Sequence, residues 1–289
     1  MAVKITKSMF INTKLATVLT NHAGDELFTQ EFIVNNAPRK ANGKTAEKMQ
    51  CAVQLEQCDI TLSKEISSYD RAVQDAVCTM MENGHRYITS EQLARVFSGN
   101  RDSGRGISRR RMEKLNEAME KLANVRATIR YRNDRGHEVE VKNYLIPMKS
   151  FRKVKSDAYI YEMMDWPAVY TYAKAHRQVI SVPEEIMAIQ LKKKDTDDVV
   201  IIKRYLIRRI ELMKNTNNHV ANNCISYDAL AAELMLDKRV GNVSKKMMEI
   251  RAATYQLLDA FVAAGYIGSW AEYKKPKAKQ FGGVQISMV

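Results

Sequence analysis

The sequence predicts an α+β protein built from two copies of one unit, because two different motifs recur in the same order. The first motif is an Ile, then Ser or Thr, an acid two positions later, and Leu-Ala; it fills residues 88–97 and again residues 225–234. The second motif is an aliphatic residue and a Ser followed by consecutive cations, and it fills residues 107–112 and 243–248. Two unrelated matches at nearly the same separation indicate that one structural unit occurs twice.

The first unit is predicted to contain three helices. A stripe of apolar side chains over residues 72–81 predicts the first helix, which Gly84 ends. After a short strand, Thr89 and Gln92 match a capping box that starts the second helix. Ser108 is the predicted N-cap of the third helix, which follows a glycine-rich loop.

A β-hairpin is predicted after this third helix. Apolar and polar side chains alternate over residues 125–132 and again over residues 138–142. Between them, residues 133–136 read Asn-Asp-Arg-Gly, in which the Gly supplies the positive φ of a tight turn. Three helices followed by a two-stranded ribbon are typical of a winged helix, a form of the DNA-binding helix-turn-helix.

The second unit repeats this plan, so the predicted fold is a tandem of winged-helix domains, two helix-turn-helix units each with a β-hairpin wing. Its first helix covers residues 199–213, Ser226 caps the short second helix, and Ser244 caps the long third helix. Two alternating stretches, residues 266–270 and 284–288, are predicted to form its wing.

Two domains are expected from this repeat. The first covers residues 1–149 and comprises a strand-rich N-terminal segment plus the first winged helix. The second covers residues 150–289 and begins with an inter-domain linker, because residues 147–157 are basic and poor in apolar side chains. Residues 39–48 and 215–223 are predicted to be polar loops.

The chain carries a formal net charge of +13, which favours a polyanionic partner. Nucleic acid is the expected partner, since a membrane surface would need a basic amphipathic helix or a lipidation signal and neither is evident. There is no long apolar run and no signal peptide, so we expect a cytoplasmic protein. The four cysteines lack metal-site spacing and are expected to be reduced and buried.

The third helix of each unit is the predicted DNA-reading element. Unpaired N–H groups and the positive end of the helix dipole favour phosphates or base acceptors at its N-terminus. Arg109 and Arg110 add cations there in the first unit, and Lys245 and Lys246 do so in the second. The first of these helices continues with an acidic face, whereas the second continues with small residues and Gln256, a candidate base reader. We therefore expect the second unit to contribute more of the sequence reading.

The predicted wings supply contacts to phosphates. Arg126, Arg130 and Arg132 share one face of the first hairpin, with Arg135 at its tip, and the second wing tip is rich in Lys. The full set of candidate DNA-contacting residues is Arg105, Ser108, Arg109, Arg110, Arg126, Arg130, Arg132, Arg135, Ser244, Lys245, Lys246, Glu249, Ala252, Ala253, Gln256, Lys274, Lys275, Lys277 and Lys279. The competing explanation for any single cation is a solvated surface charge or an intramolecular ion pair, such as a pair with an acid across the hairpin.

Signatures of catalysis are missing from the sequence. It has no phosphate-binding loop of the Gly-x-x-x-x-Gly-Lys-Ser/Thr type and no His-x-His pair, and its five histidines are scattered. We expect no catalytic residue, no metal and no cofactor, so the protein is predicted to bind its partner rather than to transform it.

Three segments resemble the replication initiators of the plasmid Rep family, which have tandem winged helices. They are residues 68–89, which begin Ser-Tyr-Asp-Arg-Ala-Val, residues 170–187, which include Tyr-Ala-Lys and Ile-Ser-Val-Pro, and residues 203–210, which read Lys-Arg-Tyr-Leu-Ile-Arg-Arg-Ile. With the matching element order, the resemblance covers most of residues 60–289. It implies binding to repeated double-stranded DNA sites at a plasmid-type origin and recruitment of host replication factors. It also implies a switch between homodimers that repress the gene and monomers that initiate replication.

By position, the resemblance makes residues 244–256 the main recognition helix and residues 126–135 the wing that contacts the DNA backbone. The alternative function is that of a two-domain winged-helix transcriptional regulator without a replication role. A third hypothesis, a basic protein that packages nucleic acid, predicts no sequence preference at all.

Overall fold

The computed structural model shows an α+β fold, as the sequence predicts. The described residues are 8–12, 51–55, 58–62, 66–99, 106–132, 135–152, 159–175, 179–191, 196–214, 223–234, 236, 243–274 and 281–289. The strands are β1 (Ser8–Asn12), β2 (Cys51–Leu55), β3 (Cys58–Leu62), β4 (Tyr87–Thr89), β5 (Arg126–Arg132), β6 (Glu138–Tyr144), β7 (Met148–Arg152), β8 (Tyr159–Met163), β9 (Val179–Pro183), β10 (Cys224–Ser226), β11 (Ser269–Lys274) and β12 (Phe281–Ser287). The helices are α1 (Ser68–Glu82), α2 (Ser90–Ser98), α3 (Arg109–Asn124), α4 (Ala168–Ala175), α5 (Glu184–Ala188), α6 (Asp197–Lys214), α7 (Tyr227–Glu233) and α8 (Val243–Ala263).

The first repeated motif forms the same structure at both of its positions. Thr89 Oγ1 accepts a hydrogen bond from the Gln92 N–H, and Gln92 Oε1 accepts one from the Thr89 N–H, which completes the predicted capping box of α2. Ser226 Oγ accepts from the Ala229 N–H at the start of α7. Each short helix follows a three-residue strand, β4 or β10. The predicted order of helix, strand, helix and helix is therefore confirmed in both units.

The two third helices, α3 and α8, begin differently. Ser108 caps α3 as predicted and accepts from the Arg111 N–H at 3.4 Å. α8 begins at Val243, so Ser244 lies inside its first turn and does not cap it. The reason is a shift in phase, since the buried residues of α8 lie one position earlier, relative to the second motif, than those of α3.

Each unit contains a three-stranded sheet with the same topology. The strand order is β4-β8-β7 in the first unit and β10-β12-β11 in the second. In both, the strand between the first two helices pairs antiparallel with the second strand of a later hairpin. Residues 148–152, which the sequence analysis assigns to an inter-domain linker, therefore form β7, paired with β8. A basic stretch with few apolar residues suits β7 because it is the edge strand of this sheet, where charged side chains are common.

The hairpin that the sequence predicts as the first wing forms at the expected place but pairs elsewhere. β5 and β6 join β2 and β3 in a four-stranded antiparallel sheet of order β2-β3-β5-β6. This hairpin is thus an addition between α3 and the β7–β8 hairpin. β2 and β3 confirm strands in the N-terminal segment, and β1 pairs with β9. The predicted loops at residues 39–48 and 215–222 lie outside the described residues.

The two units share one hydrophobic core, with α6 at their junction. α6 packs against α1 and α2 of the first unit and against α7 and α8 of its own. Val200, Leu206 and Ile210 are fully buried along this helix. Burial of such side chains is the main stabilising contribution to a protein core, so α6 is a central part of the core that joins the two units.

A cluster of charged side chains lies buried at the same junction. Glu233 of α7 accepts hydrogen bonds from Arg71 of α1 and from Arg208 of α6, the second at 3.0 Å. Beside them, Arg204 lies 3.6 Å from Asp75, and all five side chains are at most 4% exposed. Burial alone would raise the pKa of Glu233, but Arg71 and Arg208 lower it below its ordinary value. The cluster therefore joins the two units through ionised groups.

Candidate nucleic-acid interface

The N-terminal turn of α3 presents two exposed arginines, Arg109 and Arg110. The Arg109 side chain is 75% exposed, and its Nε donates to Glu113 Oε1 at 2.9 Å, one helical turn away. Water screens an ion pair of this kind, so exchanging it for a DNA phosphate costs little. Ser108, the N-cap, is exposed at the same end of the helix.

One face of α8 forms a continuous exposed strip at its N-terminal end. Its members are Ser244, Lys245, Met248, Glu249, Ala252 and Gln256. Residues three or four apart on a helix lie on one face, so these side chains are neighbours. Together they offer a cation, an apolar side chain with a terminal methyl group, a carboxylate that can accept hydrogen bonds and an amide that can both donate and accept them. We call this set the α8 strip.

Met248 is the member of the α8 strip that the sequence analysis missed. Its side chain is 71% exposed, which is high for an apolar residue of its size. Apolar side chains on a DNA-reading helix contact the methyl group of thymine. The second motif matches Met248 with Met112, which packs against the core, and that match hid the exposure of Met248. Its spacing of four residues from both Ser244 and Ala252 was the available signal.

Two residues of α8 that were predicted to contact DNA, Ala253 and Lys246, do not belong to the exposed α8 strip. Ala253 is 7% exposed and packs in the core, so its side chain cannot reach a base. Lys246 turns toward α6, where its ammonium donates to Asp198, and its Nζ lies 3.4 Å from Glu249. The hydrogen bond to Asp198, followed by the contact with Glu249, raises the pKa of Lys246 above its ordinary value. Lys246 is therefore charged and already paired.

The arginines of the β5–β6 hairpin meet acids across the strand pair. Arg130 lies opposite Glu140, with Nε 2.6 Å from Oε2, and Arg132 lies opposite Glu138 at 3.5 Å. Hydrogen bonds from Lys142 and Arg130 lower the pKa of the Glu140 carboxyl. The competing explanation from the sequence, an intramolecular ion pair across the hairpin, therefore applies to Arg130 and Arg132. All of these side chains are at least 36% exposed, so water weakens the pairs.

The remaining predicted contacts are exposed or lie outside the described residues. Arg126 and Arg135 are exposed, and the Arg126 guanidinium lies 5.7 Å from the centre of the Tyr144 ring. Lys274 ends β11 and is exposed, with its Nζ 5.1 Å from the centre of the Phe281 ring. The contacts outside the described residues are Arg105, Lys275, Lys277 and Lys279.

Part of the positive charge of the chain faces inward. Lys203 is fully buried, and its ammonium donates to the Met187 carbonyl at 2.7 Å. Arg204 and Arg208 lie in the buried charged cluster. All three belong to residues 203–210, one of the segments that carry the family resemblance. Their contacts give this segment a structural role, because Arg204 joins α6 to the first unit and Arg208 joins it to α7.

The described residues form neither a membrane-spanning helix nor a cluster that could hold a metal ion. None of the helices there is both long enough and apolar enough to cross a bilayer. The same residues contain no group of three His, Cys, Asp or Glu side chains placed to hold a metal ion. Cys78 is buried, as expected for a small apolar core residue, and burial raises the pKa of its thiol. Cys224, in contrast, is only partly buried.

No family model matches the sequence, and no curated protein matches it either. Among solved structures, a crystal structure of domain 2 and domain 3 of RctB is similar, with 12% sequence identity and a TM-score of 0.42. A second crystal structure of RctB domains 2–3 has 9% identity and the same TM-score. Each comparison covers 82% of this chain and 89% of the other. So distant a likeness assigns neither a fold nor a function to this chain.

Proposed function

We propose that this protein binds double-stranded DNA with sequence specificity through two winged helices. In each unit, the third helix would enter the major groove and the hairpin of the three-stranded sheet would contact the backbone. The observation that carries the proposal is the α8 strip, where polar, charged and methyl-bearing side chains share one exposed helix face. The net charge of +13 supplies the attraction to phosphates.

The second unit would read most of the bases. Its α8 strip contains one acid, Glu249, whereas the exposed face of α3 contains Glu113, Glu117 and Glu120. Phosphates repel an acidic face, so only the first turn of α3 would touch DNA. The first unit would therefore read only the few bases within reach of Arg109 and Arg110, and its other contacts would be to the backbone.

In the first unit, the wing would be the β7–β8 hairpin rather than β5–β6. β7 and β8 extend from β4 as β11 and β12 extend from β10. β7 bears the exposed Lys149, and the sequence continues with Lys153 and Lys155. The corresponding part of the second unit, residues 274–279, is also rich in Lys. Both hairpins would then bring lysines to the DNA backbone.

We expect the combined change Lys149→Ala, Lys153→Ala and Lys155→Ala to weaken binding to every duplex alike. Each lost phosphate contact should flatten the slope of log affinity against log salt by about 0.9. Arg130→Ala with Arg132→Ala is the comparison, and for each cation removed it should change the slope less because those arginines are paired with acids. Fluorescence anisotropy over a salt series measures both slopes. A larger change for the arginine variant would assign the wing to β5–β6 instead.

The further role that we propose is initiation of replication at a plasmid-type origin with repeated sites. Its support is the resemblance of residues 68–89, 170–187 and 203–210 to the plasmid Rep family. Recruitment of host replication factors, homodimer formation and repression of its own gene belong to the same proposal. The alternative is a two-domain transcriptional regulator, which would use the same helices and the same DNA.

A replication assay separates the two roles. The test DNA is a circle that carries the gene, its flanking sequence and a selectable marker, with no other origin. An initiator should maintain this circle in a host, and the same circle with an early stop codon in the gene should be lost. Loss of both circles, with repression of a reporter placed behind the flanking sequence, would identify a regulator.

A further inference from the structure

The N-terminus of α6 lies between the two candidate DNA-reading helices. Asp197 Oδ1 accepts from Arg111 Nε of α3 at 3.1 Å, and Asp197 Oδ2 accepts from Lys114 Nζ at 2.9 Å. The next residue, Asp198, accepts from Lys246 of α8. Two consecutive aspartates therefore bridge helices that belong to different units. We call this pair the aspartate bridge.

Arg111 and Lys246 occupy equivalent positions in α3 and α8. When these two residues are aligned, four buried positions of α3 fall on four buried positions of α8. In that order, they are 115, 118, 119 and 122 of α3 and 250, 253, 254 and 257 of α8. Arg111 and Lys246 thus lie on the same turn and face of their helices. Arg111 pairs with Asp197 and Lys246 pairs with Asp198, both at the start of α6.

The helix dipole explains only part of the arrangement of the two aspartates. The dipole of a helix favours acids in its first turn, and this accounts for carboxylates at the start of α6. It does not account for partners on two other helices. Arg111 and Asp197 are only 22% and 21% exposed, so solvent screens their contact less than that of an ordinary surface pair.

We propose that the aspartate bridge fixes the distance and angle between α3 and α8, and so sets the spacing of the two DNA segments that the units bind together. This inference rests on the proposed function. Fixed placement matters because equivalent positions on one face of the duplex recur every 10 base pairs or so. An insertion of half a turn would move one segment to the far side of the DNA.

The same contacts would also restrain non-specific binding. Arg111 and Lys246 lie at the ends of helices that would face DNA, yet each is held by a carboxylate. Cations engaged in this way release fewer counterions when DNA binds, which lowers affinity for random duplex. Loss of the aspartate bridge should therefore relax the spacing requirement and strengthen random binding together.

The test variant is Asp197→Asn with Asp198→Asn, which removes both charges and keeps the side-chain size. The probes are built from the DNA site that footprinting of the sequence flanking the gene would identify. Zero to five base pairs are inserted between the segments bound by the two units. The wild type should lose roughly tenfold or more affinity at half a turn, comparable to losing a base contact. The variant should lose roughly threefold or less, and its affinity for random duplex should rise.

Glu117→Gln with Glu120→Gln is the matched control. It makes the same change in net charge at two exposed positions of α3. The control should strengthen random binding by its charge while keeping the wild-type dependence on spacing. If the aspartate variant also keeps that dependence, or if the specifically binding wild type shows none, the proposal is overturned while the proposed function stands.

Absence of specific DNA binding by the wild type would instead defeat the proposed function, and the aspartate bridge is then tested without DNA. Spin labels are placed at Glu120→Cys on α3 and Gln256→Cys on α8, with Cys51, Cys58 and Cys224 changed to Ser. Pulsed electron resonance should give a narrow distance distribution that broadens in the aspartate variant. An unchanged distribution would overturn the bridge.

Discussion

Glu233→Ala is expected to lower the free energy of unfolding by about 3–5 kcal/mol, the usual cost of removing one partner from a buried ion pair. Glu233 is 1% exposed and accepts hydrogen bonds from Arg71 and Arg208, so the change leaves two guanidinium groups buried without this counter-charge. Urea denaturation followed by circular dichroism measures the loss. Glu113→Ala is the matched control on the exposed face of α3, and it should cost about 0.5 kcal/mol or less.

The loss of stability would arise mainly because two buried guanidinium groups remain without a counter-charge, and not only because the interactions of the carboxylate are missing. Arg71→Met and Arg208→Met combined with Glu233→Leu should therefore recover much of the stability. The measurement belongs near pH 7. The effect of the two arginines on the pKa of Glu233 exceeds that of burial, so this pKa is lower in the folded protein than in the unfolded chain. Glu233 therefore stabilises the fold fully at pH values above the pKa of an ordinary glutamate. This stabilisation is lost as the pH falls through the lower pKa of the folded state. A cost near that of the Glu113 control would contradict this role.

Met248→Ala with Gln256→Ala is expected to lower the preference for the specific site by about 1–3 kcal/mol, roughly fivefold to 150-fold. Neither side chain is charged, so affinity for random duplex should stay nearly constant. Both side chains are exposed, and the fold should be unaffected. Lys245→Ala is the comparison, because it should weaken binding to all duplexes and flatten the salt slope by about 0.9. Anisotropy titrations with specific and random duplexes measure the ratio.

Signals between near neighbours predicted the helices of both units. A capping box depends on residues three positions apart, so Thr89 with Gln92 identified the start of α2 directly. The N-cap Ser226 identified α7 in the same way. The prediction that Ser244 caps α8 was wrong. Relative to the Ser-plus-cation motif, the buried residues of α8 lie one position earlier than those of α3, and the helix begins at Val243.

Strand partners depend on residues far apart in sequence and were predicted less well. Alternation and a turn predicted the β5–β6 hairpin, since both signals lie within the hairpin itself. The pairing of β4 with β8 depends instead on the packing of distant elements. Residues 148–152 have too little apolar alternation to indicate that they form β7, the other partner of β8. For this reason the sequence did not indicate that the β5–β6 hairpin joins β2 and β3, while β4 pairs with β8.

Residue type alone did not predict which side chains of the candidate site are exposed. Lys203 and Arg208 carry charge yet are buried, because α6 is covered by elements of both units. Met248 is apolar yet 71% exposed, and Ala253 is buried one position from the α8 strip. Net charge therefore predicts only that the partner is a polyanion, while the packing around α6 and α8 decides which side chains are exposed.

Footprinting of the DNA that flanks the protein's own gene, repeated over a salt series, tests sequence-specific binding most directly. We predict discrete protected segments that persist as salt rises, while binding to random duplex falls away. Met248→Ala with Gln256→Ala should lose the segment read by α8 and keep weaker, uniform binding. Equal affinity of the wild type for flanking and random duplexes at every salt concentration would contradict the proposal.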